Sequence, residues 1–528
     1  MKRRAFLASS AVALASPAVS RAQALKVLKF IPQTDLAVLD PVWTATYVTR
    51  NHGYLVFDTL YGQSGPQGGY QATPQMVAGH SIEDDGRTWT IRLRDGLLFH
   101  DGERVLARDC AASIRRWGAR DALGQQLMRR TDALTAPDNR TIQFRLKRPF
   151  SLLPDALGKS ASNMCAIMPE RLAATDPYKQ VTEMVGSGPF RFKADERIPG
   201  SRVVYERFAQ YQPREHGKSE WTAGPKVAHF DRIEWHVIPD PATAAGALRS
   251  GEMDGWEQPP ADLLPSLTRS GRVVRKLVNS TGFCELMRPN HLVPPFDNPG
   301  VRRALLGAVD QALFMTAAMG SDPSLWTVPC GFFPPAFAMA SDVGMSALTG
   351  PRDLSQVRRS LEAAGYRGEK VALMVAVEYS TLKAISDVAA DILRKVGMNV
   401  DYQAMDGGTL IQRRTSQKSV EQGGWSLYCV GSAGIDFSTP ASHPQLRGNG
   451  LQAPPGWPTS PGIEALRDAW FDASDLNTQK RIAADIQTQA FLDVPYYPLG
   501  LVYIPSVYRA DLEGILDGFP IFWSVRRA

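Results

Sequence analysis

Alternation between apolar and polar residues marks several short strands in the first half of the chain. Residues 89–93 and 141–146 alternate with the two-residue period of a strand that is buried on one face. The apolar runs at 26–31 and 232–238 predict two further strands. We therefore expect sheets to organise this half of the protein.

Helix signals are clearest in the second half of the chain. Asn298 can cap a helix whose first turn holds Pro299, and an apolar stripe continues from Val301 to Ala312. Helical periodicity also marks 354–364 and 379–396, and the latter segment leads into a strand at 399–404. Strand, helix and strand in this order indicate an α/β fold.

The first 24 residues have the pattern of an export signal. Arg3 and Arg4 precede a mildly apolar segment, and Ala22-Gln23-Ala24 supplies the small residues that signal peptidase requires. The paired arginines resemble a twin-arginine signal, and general secretion is the alternative route. We expect cleavage near Leu25 and a periplasmic protein. No later run approaches the roughly 20 apolar residues of a membrane-spanning helix.

Length and charge describe a large globular protein. With 528 residues, the chain exceeds what one hydrophobic core usually organises, which favours two or three domains. The net charge is +6, but Lys2, Arg3, Arg4 and Arg21 belong to the export signal, so the remaining chain is close to neutral. Its basic residues are dispersed among acidic ones, and we expect no nucleic-acid partner.

Catalytic and metal-binding motifs are not found in the sequence. Neither 186–188 nor 431–434 satisfies the GxSxG pattern, and phosphate-loop and HExxH motifs are missing. The eight histidines lack the spacing of metal ligands. The five cysteines lack CxxC spacing, which leaves buried thiols or one long-range disulfide as alternatives. We therefore expect no cofactor, and a binding protein rather than an enzyme.

Five segments in a fixed order resemble the peptide and nickel family of ABC-transporter solute-binding proteins. The first segment combines two Asp-Gly turns with two strands and a following helix start at 107–109. The five segments are 84–103, 185–190, 248–254, 295–304 and 361–366. The resemblance extends from about residue 30 to residue 512. It implies an α/β, two-lobed periplasmic-binding-protein fold (type II, cluster C-like) with an extra inserted subdomain.

The resemblance also implies a division of the chain and a mode of action. Residues 25–280 and 495–528 form the first lobe, with an inserted subdomain at about 60–185, and residues 281–494 form the second. The chain crosses between lobes near Thr281 and near Pro495. A monomer of this family traps a small molecule or short peptide between its lobes and delivers it to an inner-membrane ABC permease. A secreted hydrolase or lyase without a recognisable motif is the alternative.

Asp436 is the first candidate for solute binding. Members of the family that bind short peptides carry an aspartate here that contacts the peptide's amino group, and Gly434 lies in the same segment. Those members often place an arginine for the ligand's carboxylate in the turn at 376–381, where this chain has Glu378. This difference favours an amine-bearing or neutral organic solute. A metal site at Asp436 would have only His443 as a second ligand, which is too few.

The other candidates lie beside the first strand and in a proline-rich loop. Aromatic faces can stack on apolar or cationic solutes, which makes Trp43, Tyr47 and Trp326 candidates for the walls of the cleft. Gln33 and Asp35 follow the first strand and can contact solute from the first lobe. Aromatic residues of this kind are also common in protein cores.

Overall fold

The structure is a computed structural model that describes residues 25–528, so the predicted export signal lies outside the described residues. Within 25–528, the helices are too short or too polar to cross a membrane. Two large sheets and one smaller sheet form the framework of the protein.

The first lobe is built on a seven-stranded mixed sheet. Val27–Ile31 is its central strand and runs parallel to both neighbours. The strands lie in the order Val273–Lys276, Ser506–Arg509, Gly255–Trp256, Val27–Ile31, Arg232–His236, Arg202–Arg207 and Phe190–Phe192. The helices of this lobe outside the inserted subdomain are Tyr47–Val56, Pro241–Ser250 and Leu264–Thr268.

The inserted subdomain is an antiparallel four-stranded sheet covered by helices. Its strands lie in the order Val77–Glu83, Thr88–Leu93, Thr141–Leu146 and Thr131–Thr135. Its helices are Ala107–Arg120, Ala122–Arg130, Leu153–Leu157 and Glu170–Ala173, and a short ribbon pairs Tyr61–Gln63 with Ala72–Pro74. The predicted Asp-Gly turn joins the first two strands, and Gly86 adopts φ 85°, which glycine reaches without strain.

The second lobe is built on a six-stranded mixed sheet. Its strands lie in the order Trp326–Thr327, Tyr497–Val502, Phe283–Pro289, Leu427–Ala433, Lys370–Ala376 and Asn399–Met405. Its helices are Pro299–Leu306, Gln311–Met319, Ser346–Thr349, Leu354–Ala363, Ser380–Lys395, Gly407–Arg413, Pro461–Asp472 and Leu476–Asp493. After the chain returns to the first lobe, Leu512–Glu513 pairs with Arg526–Arg527.

The helix start at Asn298 is confirmed, but the apolar stripe behind it does not belong to one helix. The Asn298 Oδ1 atom accepts a hydrogen bond from the Gly300 amide at 2.8 Å, as a capping residue does. The helix ends at Leu306, and a new helix begins at Gln311 under a cap formed by Asp310. The prediction that one helix carries the apolar stripe to Ala312 was therefore wrong, because a second helix begins after the Asp310 cap.

Two connections, at 277–282 and 503–505, join the two large sheets. The first of these connections contains Thr281. The second lies later than the predicted position near Pro495, because the fully buried strand Tyr497–Val502 pairs with Phe283–Pro289 in the second lobe. All five cysteines are buried free thiols, which is the first of the two alternatives that the sequence left open.

Glu285 is a buried carboxyl in the central strand of the second lobe. Its strand neighbours are Gly431 and Gly500, and its side chain is enclosed, with the residue only 3% exposed. The Oε2 atom has no hydrogen-bond partner within the described chain. Burial raises the pKa of Glu285 to about 8, because the charged form loses its hydration.

We predict that Glu285 makes the protein less stable as the pH rises. Its pKa in the folded protein lies above the ordinary value of 4.5, so its stabilising contribution is complete below about pH 4.5 and is lost as the pH rises through 8. Glu285→Gln should therefore raise the free energy of unfolding at pH 9 by roughly 2 kcal/mol or more relative to its effect at pH 5, since one pKa unit corresponds to about 1.4 kcal/mol.

Denaturant unfolding at the two pH values measures this difference. Glu252→Gln is the matched control, because Glu252 is exposed in the first lobe and its substitution should change stability equally at both pH values. An equal effect of Glu285→Gln at pH 5 and pH 9 would show that the Glu285 carboxyl is not desolvated.

Candidate functional site

Asp436 lies where the two lobes meet. It follows the strand Leu427–Ala433 in a short helical turn and is only 4% exposed. Its carboxylate accepts a hydrogen bond from the Tyr47 hydroxyl at 2.6 Å and one from the Ser162 amide at 3.3 Å. Tyr47 and Ser162 both belong to the first lobe or its inserted subdomain, so this carboxylate joins the lobes directly.

Gly434 fixes the position of Asp436 beside the first connection between the lobes. The Gly434 amide donates a hydrogen bond to the Gly282 carbonyl at 2.8 Å. A Cβ atom at Gly434 would lie 2.1 Å from the carbonyl oxygen of Thr281, which no side chain can satisfy. The glycine therefore allows a close approach of the two backbones. Asp436, two residues after Gly434, is thereby held beside the first connection.

Tyr47 connects Asp436 to the end of the strand in the second lobe. Its hydroxyl donates to Asp436 and accepts a hydrogen bond from the Ala433 amide at 2.7 Å. Its ring packs edge-on against Phe283, with the centroids 5.9 Å apart. Burial and the adjacent carboxylate hold the pKa of Tyr47 well above its usual value. The hydroxyl therefore stays protonated and serves as a donor.

The environment of Asp436 acts on its pKa in two directions. Burial is the largest influence and raises the pKa of Asp436 above its ordinary value. The hydrogen bond from Tyr47 and the positive charges of Lys159 and Arg50 oppose this increase. A cationic group of a solute would act in the same sense as these charges and favour the ionised form.

Polar side chains lie on the first-lobe side of the cleft, at the carboxyl ends of two parallel strands. Gln33 follows Val27–Ile31, and Glu257 follows the parallel strand Gly255–Trp256. The backbone and side-chain nitrogens of Gln33 donate to the Glu257 carboxylate at 2.8 and 3.2 Å. Asn51 Nδ2 also donates to it at 3.1 Å. Burial raises the pKa of Glu257 to about 7.

Arg50 lies one helical turn after Tyr47 and faces the same region. Its guanidinium donates from Nε and Nη2 to Asn51 Oδ1 at 3.2 and 3.1 Å. Its Cζ atom lies 4.0 Å from the ring centroid of Phe519 and 4.8 Å from that of Tyr47, within the range of cation–π contacts. The lobe interface therefore places the Arg50 cation within electrostatic range of two carboxyls, Asp436 and Glu257.

A small cavity lies between these groups and the two connections. Its volume is about 20 Å³, which accommodates a single water molecule. The wall combines the polar groups with residues of the connections and the C-terminal segment: Gln33, Tyr47, Arg50, Glu257, Gln258, Val278, Asn279, Phe283, Ile504, Ser506, Gly518, Phe519 and Pro520. A larger solute can enter this position only if the lobes move apart.

The structure brings together four of the residues that the sequence suggested. Tyr47 bonds directly to Asp436, Gly434 holds the turn that carries Asp436 against Gly282, and Gln33 shares the cavity wall with Tyr47. Asp35 lies in the same loop as Gln33, and its buried Oδ1 has no hydrogen-bond partner within 25–528.

The remaining candidates have other neighbours. Glu378 is exposed, and its carboxylate accepts a hydrogen bond from the Gly407 amide at 2.5 Å. It lies at the same sheet edge as Asp436, because the strands before them run parallel. Trp43 donates to the Tyr178 carbonyl at 3.2 Å, and Trp326 donates to the Gly320 carbonyl at 3.1 Å. Within the described chain, none of these three side chains forms a hydrogen bond with Asp436 or Tyr47.

Sequence reasoning missed Arg50, Asn51, Glu257, Phe283 and Phe519. The sequence pattern could have indicated two of them. Arg50 lies one helical turn after Tyr47, and Glu257 follows closely after the motif at 248–254. Phe519 gave none, since it reaches the cleft from the last residues of the chain.

His443 does not form a metal site with Asp436. Its Nε2 atom lies 2.9 Å from the Phe332 carbonyl and 3.1 Å from the Tyr496 hydroxyl, and its ring stacks on Phe437 with centroids 3.8 Å apart. Among residues 25–528, no group of three or more His, Cys, Asp or Glu side chains could hold a metal ion. The arrangement around Asp436 is suited to hydrogen bonding and charge complementarity.

Known proteins resemble this chain in sequence over nearly its whole length. A probable peptide ABC transporter periplasmic-binding protein, y4tO of Sinorhizobium fredii (strain NBRC 101917 / NGR234), is 34% identical over 532 residues, covering 99% of this chain and 98% of the relative.

Solved structures share the fold at lower identity. The binding protein AgaA of A.tumefacien R10, in complex with agropinic acid, matches with a TM-score of 0.79 at 19% identity, covering 95% of this chain and 99% of the other. The dipeptide binding protein of pseudoalteromonas sp. SM9913, in complex with Met-Leu, matches with a TM-score of 0.76 at 18% identity, covering 95% and 100%. The two-lobed periplasmic-binding-protein fold is therefore confirmed.

The family follows from the sequence match. The model of the bacterial extracellular solute-binding proteins, family 5 (middle region), matches residues 71–451, which include most of the inserted subdomain, the first connection and Asp436. Together with the full-length similarity to y4tO, this match shows that the chain belongs to the family 5 bacterial extracellular solute-binding proteins.

Proposed function

We propose that this protein is the periplasmic solute-binding component of an ABC importer and that it captures a peptide-like or amine-bearing organic solute between its lobes. The observation that carries the proposal is the buried contact of Asp436 with Tyr47 and Ser162 across the cleft. A carboxylate that changes partners when the lobes separate can accept a cationic group of a solute. Closure then excludes water and strengthens that contact.

The chemistry of the site supports a solute with a primary or secondary amine. A carboxylate has about four acceptor positions, and two protein donors occupy part of the Asp436 carboxylate. An ammonium group can therefore bind beside Tyr47 or replace it. The similar proteins were named for peptides or crystallised with Met-Leu and agropinic acid, which agrees with organic solutes of this size.

Export, partner and mechanism complete the proposal. We propose that residues 1–24 direct export, by the twin-arginine or the general route, and that the mature monomer passes its solute to an inner-membrane permease. Burial and the adjacent carboxylate keep the Tyr47 hydroxyl protonated, which suits it to donate a hydrogen bond rather than to act as a nucleophile, so we propose binding without turnover. A hydrolase or lyase remains the alternative, and conversion of the bound solute by purified protein would favour it.

Contacts outside the Asp436 site also hold the lobes together. The Asp472 carboxylate of the second lobe forms ion pairs with Arg130 and Arg148 of the inserted subdomain, each with a nitrogen–oxygen distance of 3.0 Å. Phe471 stacks near Phe150 with the centroids 6.2 Å apart. Within 25–528 these residues do not hydrogen-bond to Asp436, so we expect their substitution to change the balance between open and closed forms without changing the solute site.

We predict that Asp472→Asn shifts the protein toward an open form. The substitution removes the attraction for two arginines, of which Arg130 is almost fully buried, and such contacts contribute about 1 kcal/mol when one partner is half-exposed. The radius of gyration of the solute-free variant, measured by small-angle X-ray scattering, should exceed that of the wild type. Solute affinity should fall about fivefold, because less of the protein is closed.

Asp468→Asn is the control for this experiment. Asp468 lies one turn earlier on the same helix, is exposed, and has no ion pair within 25–528. Its substitution should leave both the radius of gyration and the affinity unchanged. If Asp472→Asn behaves in the same way, the contacts of Asp472 with Arg130 and Arg148 do not contribute to closure.

We predict that Asp436→Asn lowers the affinity for an amine-bearing solute by roughly 2–5 kcal/mol, as expected when one member of a buried charge pair is lost. The solute would be released from purified wild-type protein by denaturation, identified by its mass and titrated back by calorimetry. Binding should also contract the wild type and raise its melting temperature. The amide can still accept the Tyr47 hydrogen bond, so the solute-free stability should change little.

Asp485→Asn provides the same chemical change at an exposed position of the second lobe and should not alter affinity. Unchanged affinity of Asp436→Asn would show that this aspartate is a structural residue of the turn. Saturation with the co-purified solute without contraction or stabilisation would contradict the proposed capture between lobes.

A further inference from the structure

Arg50 is a buried cation that uses only part of its hydrogen-bonding capacity. The residue is 6% exposed, and Nε and Nη2 share the single Oδ1 atom of Asn51. Nη1 donates no hydrogen bond to any residue in 25–528. A guanidinium carries five N–H donors, and Arg50 lines the cavity between the lobes. Donors of Arg50 are therefore available to a group that enters this cavity.

No ion pair neutralises the Arg50 charge within the part of the chain that the structure describes. Asp436 and Glu257 attract it only at longer range. Asn51 lies between Arg50 and Glu257 and bonds to both. The Glu257 carboxylate accepts its hydrogen bonds from Gln33 and Asn51 and not from Arg50, and burial raises its pKa. A buried cation without a close counter-charge is costly.

Aromatic contacts offset only part of this cost. Phe519 and Tyr47 lie against the guanidinium at 4.0 and 4.8 Å, and cation–π contacts are weaker than a close ion pair in a buried site. These rings orient the guanidinium without occupying its remaining N–H donors. The remaining N–H donors of Arg50 therefore stay available to an anion that enters the cavity.

Arg50 and Asp436 lie on either side of one tyrosine. The Tyr47 hydroxyl contacts Asp436, and the face of the same ring contacts Arg50. A positive and a negative side chain are thus separated by about the length of a tyrosine ring, in one cleft. A compact solute with an ammonium group at Asp436 can bring a second, negatively charged group to Arg50.

We propose that Arg50 binds a carboxylate of the solute, so that the solute is a compact zwitterion with its ammonium group at Asp436. This inference rests on the proposed function and names the class of its solute. Arginine is suited to the role because its parallel N–H donors match the two oxygens of a carboxylate. The turn at 376–381 carries Glu378 in place of a cationic residue, and Arg50 supplies the cation from the opposite lobe.

Matched pairs of carboxylate and amide test the anchor. Isothermal titration would compare Met-Leu with Met-Leu amide, and succinate with succinamide, on the wild type, Arg50→Gln and Arg50→Lys. The wild type should bind each carboxylate more tightly than its amide. Arg50→Gln should lose on the order of 10- to 100-fold in affinity for the carboxylates and only a few-fold for the amides. Arg50→Lys should retain an intermediate preference.

Arg197→Gln is the control, since Arg197 is a partly buried arginine of the first lobe that donates to the Leu36 carbonyl. The succinate pair lacks an ammonium group and therefore reports on Arg50 independently of Asp436. The anchor is rejected if neither carboxylate binds the wild type more tightly than its amide, or if Arg50→Gln weakens carboxylate and amide equally. Continued contraction of the wild type with its co-purified solute would leave the proposed function standing in that case.

Discussion

The contact between Asp436 and Tyr47 depends on a close backbone approach, and the arrangement of the cleft depends on that contact. Gly434 lies so close to Thr281 that the end of one second-lobe strand is held against the first connection between lobes. This position brings Asp436 to the first-lobe helix that carries Tyr47 and Arg50. A side chain at Gly434 would displace the strand end and separate these groups.

Desolvation gives the charged groups of the cleft their importance. Glu257, Asp436 and Arg50 are all removed from water. Burial raises the pKa of the two carboxyls and lowers the pKa of the arginine, so it favours the neutral form of each group. Glu285 experiences the same effect inside the second lobe, but glycines flank it on both neighbouring strands. The difference is location, since the groups of the cleft lie at the boundary between the lobes and Glu285 lies within a packed sheet.

The sequence predicted the framework better than the site. Strand periodicity and helix caps are local signals, which is why the strand at 141–146 and the cap at Asn298 were predicted correctly. Asp436 was suggested by a motif resemblance, not by a local pattern. Phe519 and Phe283 were missed because they reach the cleft from distant parts of the chain, and no local pattern encodes such contacts.

Two other candidates show the limit of reasoning from residue type. Trp43 and Trp326 have the aromatic character that a solute site requires, but their indole nitrogens are bonded to nearby carbonyls in other surroundings. Arg50 was overlooked although it follows Tyr47 by one helical turn, because an isolated arginine in a sequence is usually a surface residue. Its burial depends on Phe519, which is contributed by the other end of the chain.

The location of Asp436 beside the connections determines how far it travels. When two bodies rotate about an axis through their linkers, displacement grows with distance from that axis. Asp436 is two residues from the glycine that contacts the first connection, so a given rotation moves it only slightly. The ammonium end of a solute would thus stay near its carboxylate during the early part of opening, and the order of release would begin at the outer end of the molecule.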